Sequence, residues 1–223
     1  MPNYTCLIQT HTDNLGELLL PHLDVLKRTN PDVEIHIVVS EDHPLGRDFR
    51  WRNGDLALRE WWINNNHLVS NDNIAVMEWD TLVNCPLPEI PRQFDVAAAN
   101  IYTEPKNLRG KWQRKYMAHP RWSQDNWWWW KEIPRLELKN NQTARGLVSF
   151  GCFFTKRWVL DAISKPEWDH LYEKDIISEL RFPTIAGIEG AKLGEIPLPH
   201  VHFNSTLFTN EEAIYHAIKH KVL

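Results

Sequence analysis

Four short runs of β-branched and apolar residues recur along the first hundred positions. They are residues 4–9 (YTCLIQ), 33–40 (VEIHIVVS), 74–79 (IAVMEW) and 94–101 (FDVAAANI). Between them lie segments with a different period. Residues 14–29 carry Leu15, Leu18, Leu19, Leu23 and Leu26 at helical spacing, with Pro21 forcing a kink or a late start. Asp55 is placed to cap a second helix that runs to about residue 66. Strand, helix, strand, helix, strand is the rhythm of a mostly parallel sheet with helices on both faces. The expected fold class is therefore α/β.

Composition limits what such a sheet belongs to. At 223 residues with 43% hydrophobic positions, the chain can bury a full core, and the expectation is one domain over 1–223. A formal charge of −4 argues against a general nucleic-acid binder. No apolar run reaches the roughly 18–20 residues of a membrane span, and residues 1–12 show no secretory pattern. Cys6, Cys85 and Cys152 form no Cys-x-x-Cys pair, which speaks against a zinc ribbon and for free, buried thiols in a reducing compartment. The expected localisation is cytoplasmic.

The second half is less regular. Residues 102–145 break the rhythm and hold Trp112, Trp122 and Trp127 to Trp130. Residues 147–154 (LVSFGCFF) read as a strand and 158–163 as the start of a helix. Residues 169–180 read as a helix that stops before Pro183. Residues 194–203 (GEIPLPHVHF) read as an edge strand with prolines, and 211–221 as a closing helix.

Ligands of open parallel sheets bind at the carboxyl ends of the strands. Thr10, His11 and Thr12 end the first run, and Glu78, Trp79 and Asp80 end the third. If strand geometry persists, Glu78 and Asp80 project to one side. Two carboxylates so close repel unless a cation lies between them, and Mg²⁺ or Mn²⁺ takes such oxygen ligands. A solvated strand end is the other reading of the same residues. His200 and His202 share a face of the late strand, either as hydrogen-bonding residues or as ligands.

The series of helix, short loop, buried strand and IAVMEWDTLVN resembles the metal site of GT-A-fold glycosyltransferases, where an Asp-x-Asp motif ends a strand. Here Glu78 replaces the first aspartate, which leaves Asp80 as the firmer ligand. Late His-Phe sequences close the metal site in several such families, and His202-Phe203-Asn204 matches that pattern. Residues 146–162 (GLVSFGCFFTKRWVLDA) resemble the strand and helix beneath the sugar, with Ser149 and Gly151 small enough for close approach. The likeness spans roughly residues 4–204. It extends to the glycosyltransferase domains of multidomain proteins of large chlorella-infecting viruses, which would put the chain in host cytoplasm.

The resemblance implies a GT-A-like fold with a nucleotide-binding half, about 1–100, and an acceptor half, about 101–223. It implies a metal-dependent hexosyl- or deoxyhexosyl-transferase with a UDP-sugar donor and a carbohydrate acceptor. Mn²⁺ or Mg²⁺ would be held by Glu78, Asp80 and His202. Thr10, His11 and Thr12 would meet base and ribose, with Arg52, near Arg47 and Arg50, as a cation for base or diphosphate, or simply part of a solvated loop. Trp79 would offer its backbone to the ribose while its ring packs inward. The tryptophans of 102–145 would form an acceptor groove, or equally a lid or an interface. Glu179, in the stretch Ser-Glu-Leu-Arg-Phe-Pro, is the first choice of acid–base residue, ahead of Asp175 and Glu189. Two rivals use the same features differently. A nucleotidyltransferase acting on sugar phosphates would need a Gly-rich phosphate loop, which is not seen, and a non-catalytic carbohydrate-binding domain would be all-β.

Overall fold

The computed structural model describes residues 3–11, 19–40, 53–98, 101–102, 147–148, 151–173, 178–196, 200–202 and 212–216, with the backbone alone at 11, 101–102, 147–148 and 200–202. The strands are β1 (Tyr4–His11), β2 (Glu34–Ser40), β3 (Asn73–Glu78), β4 (Thr81–Val83), β5 (Val96–Ala98), β6 (Ile101–Tyr102), β7 (Leu147–Val148), β8 (Cys152–Lys156), β9 (Leu193–Glu195), β10 (His200–His202) and β11 (Ile214–His216). The helices are α1 (Leu19–Thr29), α2 (Gly54–Asn65), α3 (Arg157–Ile163), α4 (Asp169–Tyr172) and α5 (Ser178–Ile188).

A six-stranded sheet has the order β2-β1-β3-β8-β5-β9. Every pairing in it is parallel except the two that β8 makes, with β3 and β5, so β8 alone runs against the others. The mostly parallel α/β sheet expected from the strand–helix rhythm is therefore present. Alternation along each strand divides the core in two. Leu7, Ile74, Val76 and Phe153 face one layer with Leu58 and Trp62 of α2, Leu160 of α3, and Phe182 and Ile185 of α5. Cys6, Ile8, Ala75, Met77 and Phe154 face the other layer, with Leu19 and Leu26 of α1. Both faces are covered, which explains why the central strands are apolar at nearly every position.

Polar ties fix the layers. On α1, Asn30 donates to the Cys85 carbonyl at 3.1 Å and accepts from the Leu87 N–H at 2.7 Å, holding the proline-rich segment against the sheet. Arg59 of α2 donates to the carbonyls of Ile163, Ser164 and Lys165 at 3.1, 3.3 and 3.1 Å, where the last turn of α3 leaves acceptors open. The three cysteines are buried and free, and burial pushes the Cys85 thiol up to about 11, so they pack as small apolar groups.

Several expectations for the second half need correction. Helix α5 continues through Pro183, because Phe182, Ile185, Ala186 and Ile188 are all buried and that packing outweighs one lost backbone bond. The helix expected over 169–180 is instead the short α4, and α5 begins at Ser178. Residues 214–216 are strand β11, not helix, because Leu82 and Thr81 of β4 offer a free ladder edge. The single late strand is two, with β9 in the large sheet and β10 in a small sheet of order β10-β11-β4. Asp55 does not cap α2 with its own side chain; the residue ahead of the helix is Asn53, and Asp55 lies buried in the first turn. No helix among the described residues is long and apolar enough to cross a membrane.

Candidate metal centre

Strand β3 ends at Glu78 and the chain turns at Trp79 and Asp80 before entering β4. The acid-x-acid pair therefore spans a turn between two sheets and does not prolong the strand. Glu78 follows the alternation of Ile74 and Val76 and emerges on the face covered by α2 and α5. Trp79 packs against the opposite layer. Its N–H donates to the Gln9 carbonyl at 2.8 Å, and its carbonyl accepts from Nδ1 of the buried His22 at 3.1 Å. Both sides of the Trp79 peptide are thus fixed, and the turn holds Asp80 buried at 6% exposure.

The third member of the cluster comes from the far end of the chain. Antiparallel pairing of β4 with β11 sets His216 opposite Thr81, next to Asp80. Nε2 of His216 lies 2.7 Å from Oε2 of Glu78 and 3.6 Å from Oδ1 of Asp80. One ligand atom from each of Glu78, Asp80 and His216 falls within 4.8 Å of the others. Gly151 lies directly beneath the ring. Its carbonyl accepts from the Glu78 N–H at 3.1 Å and from the Thr81 hydroxyl at 2.6 Å.

Burial works against a charged imidazole at His216, but the hydrogen bond to Glu78 and the charges of Glu78, Asp80 and Glu179 outweigh it and raise its pKa. Without an ion, a proton on Nε2 occupies the space between the carboxylates. Two carboxylate oxygens and one imidazole nitrogen converging on one point suit an octahedral, oxygen-preferring divalent cation, with open positions left for water or ligand oxygens.

The other residues singled out in the sequence are distributed as follows. Thr10 is buried near the carboxyl end of β1, and His11 ends that strand. Gln9 sits beside Glu78 in register and donates to the Gly54 carbonyl at 3.0 Å. Glu179 lies in the first turn of α5, half-buried, and its charge reaches His216. Glu189 is committed elsewhere, accepting from Nε1 of Trp168 at 2.8 Å and pairing with Lys165. His202 is the register neighbour of His216 on parallel strands β10 and β11. Thr12, Arg52, Ser149, Asp175 and Trp127 to Trp130 lie outside the described residues. His216 itself escaped sequence reasoning, because residues 211–221 read as a helix and nothing local marks a ligand.

No family model and no curated protein matches the sequence. Among solved structures, the fold is similar to the galactosyltransferase LgtC in complex with donor and acceptor sugar analogs, at 11% identity, 95% coverage of this chain, 86% of that one and a TM-score of 0.49. It is similar to mouse xyloside xylosyltransferase 1 at 10% identity, 96% and 97% coverage and a TM-score of 0.48. It is also similar to a mutant Drosophila β-1,4-galactosyltransferase 7 in complex with manganese, UDP-Gal and xylobiose, at 16% identity, 99% and 72% coverage and a TM-score of 0.43.

Proposed function

We propose that this chain is a metal-dependent glycosyltransferase, moving a hexosyl or deoxyhexosyl group from a UDP-sugar to a carbohydrate acceptor. The observation that carries this reading is the convergence of Glu78, Asp80 and His216 where β3 ends. A centre at the carboxyl end of a parallel strand lies where such sheets bind nucleotides. Glu78, Asp80 and His216 would hold the ion, and His202, one strand over, is a second imidazole for the same centre. The mixed oxygen and nitrogen set favours Mn²⁺ over Mg²⁺. When bound, the ion supplies charge stabilisation to a departing diphosphate.

The chain's own residues have distinct tasks in this reading. Thr10, His11 and Thr12 bind base and ribose, with the fixed Trp79 backbone beside them, and Arg52 neutralises diphosphate. Glu179 takes the proton of the acceptor hydroxyl, its half-buried place holding the carboxylate near the centre without tying it into the core. The tryptophans at 127–130 lie against the apolar faces of the acceptor sugar. One domain over 1–223, with halves at about 1–100 and 101–223, completes the proposal. The cytoplasmic placement and the chlorella-virus likeness belong to it too and rest on sequence alone.

The test is release of UDP from a panel of UDP-sugars with and without Mn²⁺. Turnover that disappears in chelator and returns with Mn²⁺ is expected for one donor. Turnover unchanged in excess chelator, or none with any UDP-sugar while a nucleoside triphosphate and a sugar phosphate react, sinks the reading.

A further inference from the structure

Asp55 and Arg181 are both completely buried, at 0% side-chain exposure. Nε of Arg181 donates to Oδ2 of Asp55 at 2.8 Å, and its Nη2 pairs with Oδ1 of Asp55 and donates to Oδ1 of Asn53 at 2.9 Å. In the other direction, the Asp55 N–H donates to the Ser178 hydroxyl at 3.1 Å. The first turn of α5 is thus tied to the first turn of α2 from both sides. The Tyr172 ring lies 4.5 Å from the guanidinium carbons of both Arg181 and Arg59, closing the pair off from water.

Burying an ion pair is a poor route to stability, because desolvation offsets the attraction and a well-packed apolar pair does as well. What a two-pronged pair does supply is direction, since it fixes the rotation of one helix against another. Ser178 and Arg181 are three residues apart and lie on the α5 face turned to α2. Glu179 sits roughly 100° further round the axis. Helix α5 lies against β7, and the chain after β7 leads to Gly151 beneath His216. Pro183 has no N–H to offer the Glu179 carbonyl one turn earlier, so the backbone ladder is one bond short at this turn. The orientation of Glu179 then depends on side chains.

We propose that Asp55 and Arg181 are a positioning pair, which sets the rotation of α5 so that Glu179 is presented to the Glu78–Asp80–His216 centre. This rests on the metal-centre reading. The test is calorimetric titration with Mn²⁺ alone of wild type, Glu179→Gln, Asp55→Asn and the double variant. Loss of one nearby charge should weaken Mn²⁺ binding about three- to tenfold in the wild-type background. In the Asp55→Asn background the same change should cost less than about twofold, because Glu179 is no longer held in place. Arg181→Lys, which keeps the charge and loses the fork, should behave like Asp55→Asn. If neither variant folds, Ser178→Ala removes only the linking hydroxyl and is judged by the same criterion. Equal losses in both backgrounds, or no loss from Glu179→Gln in either, overturn the positioning pair while the metal centre stands. Absence of Mn²⁺ binding by the wild type overturns the centre, and the pair with it.

Discussion

Gly151 has no side chain where the His216 imidazole lies. A Cβ on Gly151 would stand 2.6 Å from both Cγ and Nδ1 of that ring, far inside van der Waals contact. The glycine was read in the sequence as room for a sugar, and in the structure that room is taken by a histidine. Gly151→Ala should therefore push His216 away from Glu78. We expect Mn²⁺ affinity to fall at least about tenfold, with a stability loss of about 1–3 kcal/mol from overpacking. Titration with Mn²⁺ alongside thermal melting checks both; unchanged affinity would mean that the ring is not a ligand.

His216 and His202 can be separated by single substitution. His216→Ala removes the imidazole seen at 2.7 Å from Glu78 and should raise the Mn²⁺ requirement by an order of magnitude or more, about 1.4 kcal/mol or above. His202→Ala should have a smaller effect. A larger defect in His202→Ala, measured in the same Mn²⁺ titration, would transfer the ligand role to β10.

The raised pKa of His216 gives opposite pH signatures with and without metal. Its folded value lies above its unfolded one. The protonated ring therefore stabilises the metal-free fold fully below the ordinary histidine range, and that stability is lost as pH rises through the folded pKa. Mn²⁺ needs the neutral ring, so its affinity should climb over the same interval. Melting curves in chelator should fall across the window in which Mn²⁺ binding strengthens. Two curves moving in the same direction would contradict this.

Glu34 provides a control remote from the centre. Burial pushes its carboxyl up, but hydrogen bonds from Thr5, Ser70 and His36 prevail and hold it at about 2. Its folded value lies below the unfolded one, so its stabilisation is present above the usual carboxylate range and lost as pH drops toward 2. Glu34→Gln should cost about 1–2 kcal/mol at neutral pH and flatten the acid limb of the stability curve. Denaturant unfolding at two pH values measures it.

Arg181→Met should be among the most damaging single substitutions, costing about 3–5 kcal/mol, because it leaves the Asp55 carboxylate buried without its cation. Replacing both residues with apolar ones of similar volume should recover much of that loss. Chemical denaturation of the single and double variants distinguishes the two, and a mild single variant would show that water reaches Asp55.

The sequence by itself determined the strands whose neighbours are close in the chain. Periodicity marked β1, β2 and β3, because a strand covered on both faces must be apolar throughout. The same reasoning put Glu78 and Asp80 where β3 ends, and Pro21 foretold the late start of α1, whose described turns begin at Leu19. Only the tertiary structure decided what meets those carboxylates. His216 stands 138 residues from Glu78 and reaches it through the pairing of two three-residue strands. Segments that short carry too few residues to show a period, and their strand character comes from the ladder they join. Asp55 and Arg181, 126 residues apart, read separately as a helix cap and a helix-surface charge. Their burial depends on two helices packing on one sheet face, and no local pattern encodes that contact.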